Sequence, residues 1–135
     1  MAALAIDLDV LGDVAPLWAA WLDDAARRHG VEPEQLEERL PNWRTLLQRF
    51  AEDRAPVYLR PNAQVTATLR QLQAEGVHVG VFTEAPEELA RLAVAHLGAA
   101  RRIEALEAGP GALERLLATL GSDTRVVREV ADLHS

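Results

Sequence analysis

The sequence predicts an α/β fold built on a doubly wound parallel sheet, and two observations indicate it. Short apolar runs typical of buried strands occur along the chain, and segments with apolar residues at helical spacing lie between them. Strands that alternate with helices in this way predict crossover units, and therefore a parallel sheet. The chain of 135 residues is long enough to form one domain with a hydrophobic core.

The first half of the chain predicts one strand followed by a block of helices. Residues 2–8 are an apolar run that ends in acidic residues, which is typical of a buried strand. Residues 14–29 show apolar side chains at helical spacing and predict a long helix. Residues 32–40 and 42–55 predict two further helices, separated at Pro41.

The middle of the chain predicts a helix, a strand and a second helix. Residues 61–75 begin with proline and stop at Gly76, which are the usual signals for the start and end of a helix. Residues 77–82 are a compact run of β-forming residues, and residues 86–97 predict a helix that ends at Gly98.

The last third repeats the alternation and completes the predicted fold. Residues 102–106 indicate a short strand, residues 110–120 a helix that ends before Gly121, and residues 124–130 a final strand. We therefore expect a helical cap inserted after the first strand of an α/β core. The expected core comprises residues 1–13 and 59–135, and the expected cap comprises residues 14–58.

Composition and charge limit the classes of function. The net charge of −7 opposes binding to nucleic acid and to anionic membranes, both of which are bound mainly through basic side chains. The sequence has no apolar run long enough to cross a bilayer, and its N-terminus does not resemble a signal peptide. The absence of cysteine excludes disulfides and thiolate metal sites, and we expect a cytoplasmic protein. All 14 basic residues are arginine, so no mechanism can use lysine.

Polar residues follow two of the predicted strands, at the sheet edge where α/β proteins bind ligands. Asp7 and Asp9 follow the first strand, where two carboxylates could attack phosphorus, move a proton or share a divalent cation. Thr83 follows the second strand and could bind an anion together with the N-terminus of the next helix. The alternatives are that the acidic residues only end the strand at solvent and that Thr83 only caps the helix.

The order of these features resembles the haloacid dehalogenase-like superfamily, and specifically its phosphoglycolate phosphatase-like members. The resemblance comprises Asp7-Leu8-Asp9 after a strand, a short helical insert, a helix, and a strand that ends at Thr83. The segments at residues 60–83 and 85–98 continue it, so that it extends loosely over nearly the whole chain.

The resemblance implies a role for each matching residue. Asp7 would attack the phosphoryl group and become an aspartyl phosphate, Asp9 would act as the general acid and base, and Thr83 would bind the phosphate. It further implies a Mg²⁺ cofactor, with Asp7 and Asp9 as ligands together with Glu129 or Asp132. The implied substrate is a small phosphorylated metabolite.

Several positions depart from the family pattern, and together they predict impaired catalysis. Val10 stands where the pattern has glycine, and Glu84 adds a negative charge directly after the threonine. The last motif is degraded: Arg128 takes the position of a glycine and Glu129 that of an aspartate. The chain is also expected to be truncated, without the closing strand and helix of the family.

The lysine of the family pattern is missing altogether. Gly109-Pro110 stands at its expected place. An ammonium group about 4 Å from a phosphate charge contributes on the order of 4 kcal/mol at an effective dielectric near 20. Its loss therefore predicts a rate lower by roughly a thousandfold. Arg101, Arg102 or Arg128 could replace it only if the fold brings one of them to the site.

Two non-hydrolase interpretations remain open at this level. A catalytically inactive protein with this fold could use its helical block as a binding or homodimerisation surface, because Trp18, Trp21 and Trp43 all lie there. The strand at residues 124–130 could associate in the same way if it lies at a sheet edge. A phosphoacceptor receiver-type domain is the third interpretation, although such a domain needs a lysine and has no long insert after its first strand.

Overall fold

The structure of the protein, a computed structural model, describes residues 2–133; Met1, His134 and Ser135 lie outside the described residues. The elements in chain order are β1 (Ala3–Asp7), α1 (Leu8–Leu11), α2 (Ala15–His29), a 3-10 helix (Pro33–Gln35), α3 (Leu36–Arg39), α4 (Trp43–Tyr58), α5 (Ala63–Ala74), β2 (His78–Thr83), α6 (Glu87–His96), β3 (Ala105–Ala108), α7 (Ala112–Leu120), β4 (Thr124–Val127) and α8 (Val130–Leu133). Within the described residues, no helix is long and apolar enough to span a membrane.

The four strands form one parallel sheet in the order β3-β2-β1-β4. β1 lies in the middle, beside β2 on one side and β4 on the other, so its carboxyl end lies between theirs. Helices cover both faces of the sheet. The predicted fold class, an α/β fold with a parallel sheet, is thereby confirmed.

Alternation along the strands assigns the side chains to two cores. The residues on one face of the sheet belong to the large core, which also includes α2, α4, α5 and α6, and they include Leu4, Ile6, Val79 and Val81. On the other face, Ala5 and Phe82 pack against Ala112 and Leu116 of α7. Because successive side chains of a strand point to opposite faces, the apolar runs of β1 and β2 supply both cores.

The helical block between β1 and α5 packs onto the rest of the protein through α6. α4 lies against α6, and the Nη1 atom of Arg44 is 2.8 Å from Oε1 of Glu88 on that helix. Trp21 and Leu47 are buried in the same core as Leu4 and Ile6 of β1. The division of the chain into residues 1–13 with 59–135 and residues 14–58 stays a prediction.

Two strands differ in extent from their predictions. The strand predicted at residues 124–130 ends at Val127, and α8 begins at Val130. Arg128 and Glu129 are exposed and turn the chain, with the Asp132 N–H bonded to the Glu129 carbonyl. The strand predicted at residues 102–106 begins only at Ala105, because the Arg102 N–H is engaged in a turn with the Ala99 carbonyl.

Two helices of the block also differ from their predictions. The helix predicted at residues 32–40 is a 3-10 helix followed by the short α3, which begins at Leu36. α4 continues past the predicted end at residue 55, to Tyr58. Pro56 lies in the last turn of α4. Because proline has no backbone N–H, the helix loses only one hydrogen bond there.

Candidate active site

A cavity of about 560 Å³ lies at the carboxyl end of the sheet. Asp7 and Asp9 line it at the end of β1, Thr83 at the end of β2, and Arg128 just beyond β4. The parallel sheet explains this meeting, because the carboxyl ends of neighbouring strands lie at the same edge. The structure thus brings together three residues that the sequence predicted and one that it named only as a conditional candidate.

Asp7 is fixed by the chain that follows it. The residue caps the short helix α1, and its Oδ1 atom accepts a hydrogen bond of 3.0 Å from the Asp9 N–H. The other carboxylate oxygen, Oδ2, lies 3.6 Å from Nη1 of Arg128. That separation is an ion pair rather than a short hydrogen bond. One oxygen therefore orients the carboxylate, and the other faces a cation.

Asp9 lies in α1, and its side chain lines the same cavity. Partial burial raises the pKa of Asp9 above its ordinary value, and the negative charges of Asp7 and Asp13 raise it further. A carboxyl group that keeps its proton more readily is better suited to act as a general acid. Val10, at the glycine position of the family pattern, is buried against the core.

Thr83 is nearly buried at the end of β2, with 9% of its surface exposed. Its Oγ1 atom accepts a hydrogen bond of 3.2 Å from the Ala85 N–H, which fixes the loop that leads to α6. A hydroxyl group that accepts in this way can still donate its own hydrogen to a ligand. The cap of α6 is Pro86 and not Thr83, so the alternative role of Thr83 as the helix cap does not apply.

The turn before α7, where the family pattern has a lysine, brings backbone atoms to the cavity rather than a positively charged side chain. Gly111 adopts a φ of 75° at the start of α7 and lines the cavity, so the N-terminus of α7 faces the site. Arg115 fixes this turn by donating to the carbonyls of Ala108 and Pro110 and to the carboxylate of Glu107. The role of Arg115 was not predicted, because its spacing along α7 gives no signal for a contact with this turn.

Arg128 is the arginine that the fold brings to the site. Its guanidinium lies over the Phe82 ring, with 5.3 Å between its Cζ atom and the ring centroid, as well as beside Asp7. Arg102 instead donates to Gln73, and neither Arg101 nor Arg102 lines the cavity. Of the three arginines that were candidates to replace the missing lysine, Arg128 is therefore the one that lines the cavity.

The helical block forms one wall of the cavity through Trp18 of α2. The Trp18 ring packs edge-on against Trp43, with 6.4 Å between the ring centroids. Trp21 and Trp43 are buried, with 2% and 8% of their surface exposed, so both tryptophans contribute to the core. Homodimerisation through this block or through β4, which lies at an edge of the described sheet, stays a prediction.

The described residues do not fit a Mg²⁺ site as they stand. Among residues 2–133, no group of three or more His, Cys, Asp or Glu side chains is arranged to hold a metal ion. Glu129 and Asp132 are exposed and do not line the cavity with Asp7 and Asp9. Asp7 and Asp9 are thus the two of the four predicted ligands that line the cavity, and the guanidinium of Arg128 faces Asp7, which opposes a divalent cation there.

Comparison with known proteins supports the fold. No protein-family model matches the sequence, and no curated protein matches it significantly. Among solved structures, the chain is similar to a Thermotoga maritima protein assigned as a β-phosphoglucomutase, with a TM-score of 0.63 and 18% identity. The match covers 93% of this chain and 75% of the other. At this level of identity the similarity shows the fold alone, and it agrees with the α/β fold that the sequence predicted.

Proposed function

We propose that the cavity binds a phosphoryl group and that the protein is an inefficient phosphomonoester hydrolase of the haloacid dehalogenase-like type. The observation that supports this most directly is the meeting of Asp7, Asp9 and Thr83 around one cavity. The two carboxylates and the hydroxyl come from two different strands, and their positions match the nucleophile, the acid and the phosphate ligand that the resemblance implies.

The proposed reaction has two steps. An Asp7 oxygen forms a bond to phosphorus while the bond from phosphorus to the leaving oxygen breaks, and Asp9 gives that oxygen a proton. Asp9 then takes a proton from water, which attacks phosphorus, releases Asp7 and yields inorganic phosphate. The raised pKa of Asp9 favours the first of its two roles.

The proposed substrate is a small phosphorylated metabolite of the cytoplasm. A cavity of about 560 Å³ lies within the usual range for small-molecule sites. Because the similar Thermotoga maritima protein is assigned as a β-phosphoglucomutase, phosphorylated sugars are the first class to test. Trp18, on the wall formed by the helical block, offers an apolar face to the part of the substrate that does not react.

Electrostatics explain why we propose a slow enzyme. Four carboxylates line the cavity, those of Asp7, Asp9, Glu84 and Glu114, whereas Arg128 is the one basic residue among its described lining residues. A phosphate dianion therefore enters against a net negative charge. The predicted Mg²⁺ would offset that charge, but the described side chains do not complete a site for it.

Hydrolysis of a generic aryl phosphate by the wild type and by Asp7→Asn tests the proposal, with and without added Mg²⁺. We expect slow turnover by the wild type and none by the variant, because an amide cannot form the aspartyl phosphate. Asp123→Asn, an exposed residue outside the cavity, is the matched control and should keep the wild-type rate. Equal rates for the wild type and Asp7→Asn would contradict the proposal.

One observation favours a second candidate function, that of a non-catalytic binding module. The carboxylate expected to act as the nucleophile faces the guanidinium of Arg128. An ion pair lowers the tendency of a carboxylate to attack an electrophile, since the cation stabilises its charge. This candidate predicts that ligands bind in the cavity and that no turnover occurs at any Mg²⁺ concentration.

A further inference from the structure

We infer that Arg128 is the cationic phosphate ligand of this cavity, so that the protein binds phosphate without a divalent metal ion. The inference rests on the proposed function and deepens it, because it assigns the positive charge that a phosphate site requires. It depends on the position of Arg128 and on the residues around it.

The parallel register places Arg128 beside the proposed nucleophile. Ile6 of β1 pairs with Val127, the last residue of β4, so Asp7 at the end of β1 and Arg128 just beyond β4 emerge side by side at the sheet edge. The 3.6 Å between Nη1 and Oδ2 follows from this pairing. The cation therefore follows directly on the last paired residue of β4.

The environment of the guanidinium leaves it able to bind an anion. A guanidinium has five N–H donors in one plane, and the ion pair with Asp7 is loose. Its Cζ atom lies over the Phe82 ring, a contact that requires none of its hydrogen-bond donors. Arg128 is 60% exposed on the cavity side of the sheet, so a phosphate can reach the remaining donors.

The other groups of the cavity complete a phosphate site around this cation. Thr83 supplies a hydroxyl donor from the neighbouring strand, and Gly111, which lines the cavity at the start of α7, supplies a backbone N–H. Thr83 ends β2, Arg128 comes just after β4, and these two strands flank β1, so the two residues lie on opposite sides of Asp7. A phosphoryl group between them would face the nucleophile.

The same position disfavours a metal ion beside Asp7. A guanidinium facing the Asp7 carboxylate repels a divalent cation that approaches the same oxygen. The acidic side chains that follow Arg128, those of Glu129 and Asp132, do not line the cavity. Arg128 thus supplies, as a fixed positive charge, part of the neutralisation that a bound cation would supply.

Calorimetric titration with inorganic phosphate, in the presence of EDTA, tests the inference. The wild type should bind phosphate, and Arg128→Gln should weaken binding by at least about tenfold, because a charge-assisted hydrogen bond is lost and four carboxylates remain. Arg128→Lys should retain part of the affinity as a point charge. Arg101→Gln, which removes the same charge outside the cavity, should bind like the wild type.

The outcomes separate this inference from the proposed function. Failure of the wild type to bind phosphate without Mg²⁺, or unchanged binding by a folded Arg128→Gln, would overturn the role of Arg128. Circular dichroism shows whether each variant is folded. If Arg128→Gln does not fold, the phosphate affinity of Arg128→Lys still tests the inference. Phosphate binding without aryl phosphate turnover would support the inference and contradict the hydrolase. Turnover of the aryl phosphate, together with phosphate binding that does not depend on Arg128, would support the hydrolase and contradict the inference.

Discussion

Gly80 of β2 lies directly beneath Leu116 of α7, at a distance that leaves no room for a methyl group. A Cβ atom at Gly80 would come within 2.6 Å of Leu116 Cδ1. Leu116 is completely buried, and it joins Ala5, Phe82 and Ala112 in the smaller of the two cores. The glycine therefore sets how closely α7 approaches the sheet and, with it, where the start of α7 lies at the cavity.

We expect Gly80→Ala to destabilise the protein by about 1–3 kcal/mol, the usual cost of overpacking. Urea unfolding of Gly80→Ala, Leu116→Ala and the double variant measures it. The two changes should couple favourably, since the shortened side chain at position 116 makes room for the new methyl group. Strictly additive costs would show that the close approach is not the cause.

Trp21 is buried in the large core with its Nε1–H unsatisfied by any described residue. Trp21→Phe removes that donor and keeps an aromatic ring near Phe50, whose centroid lies 5.7 Å away. We expect Trp21→Phe to cost no more than about 1 kcal/mol, because losing the unsatisfied donor offsets part of the lost packing. Trp21→Ala should cost about 3–5 kcal/mol. Equal costs in urea unfolding would contradict this explanation.

The Asn62 side chain caps α5, where Oδ1 accepts from the N–H groups of Gln64 and Val65 at 2.9 and 3.2 Å. Asn62→Ala should lower the free energy of unfolding by about 1 kcal/mol. Asn42 stands at the same position of α4 without a side-chain cap bond, so Asn42→Ala is the matched control and should have a smaller effect. Thermal or urea unfolding of the two variants checks the difference; equal losses would show that the cap bonds contribute nothing.

Asp9→Asn should stabilise the protein at neutral pH. The pKa of Asp9 is higher in the folded protein than its ordinary value of 3.8, so ionising the carboxyl opposes folding. This unfavourable contribution is absent below the unfolded pKa, grows as the pH rises from that value to the raised pKa, and is complete above the raised pKa. Because Asp9 is only partly buried and largely accessible to solvent, solvent screening keeps the gain below about 1 kcal/mol.

Urea unfolding of the wild type and Asp9→Asn across the acidic and neutral range measures this pH dependence. The gain should shrink as the pH falls toward the ordinary pKa of an aspartate, where both chains carry an uncharged group at position 9. Asp123→Asn, which makes the same charge change outside the cavity, is the control. A gain that grows on acidification would have the wrong sign and would contradict the assignment.

Local patterns in the sequence allowed most of the elements to be predicted. The errors occurred where tertiary contacts determine the ends of an element. β2 and the helices on either side of it each show a single clear periodicity in the sequence. Their predicted bounds agree with the structure within a few residues. β3 and β4 are only four residues long, so periodicity has too few positions to define their ends. Pairing with β2 and β1 sets those ends instead.

The sequence by itself determined which residues follow the first two strands, because a strand pattern marks its own carboxyl end. Asp7, Asp9 and Thr83 were therefore predicted as site residues, and the structure places all three around one cavity. Only the tertiary structure decided that Arg128 joins them. Strand order and register depend on packing between distant segments, and the pairing of Ile6 with Val127 brings Arg128, the first residue after β4, to Asp7.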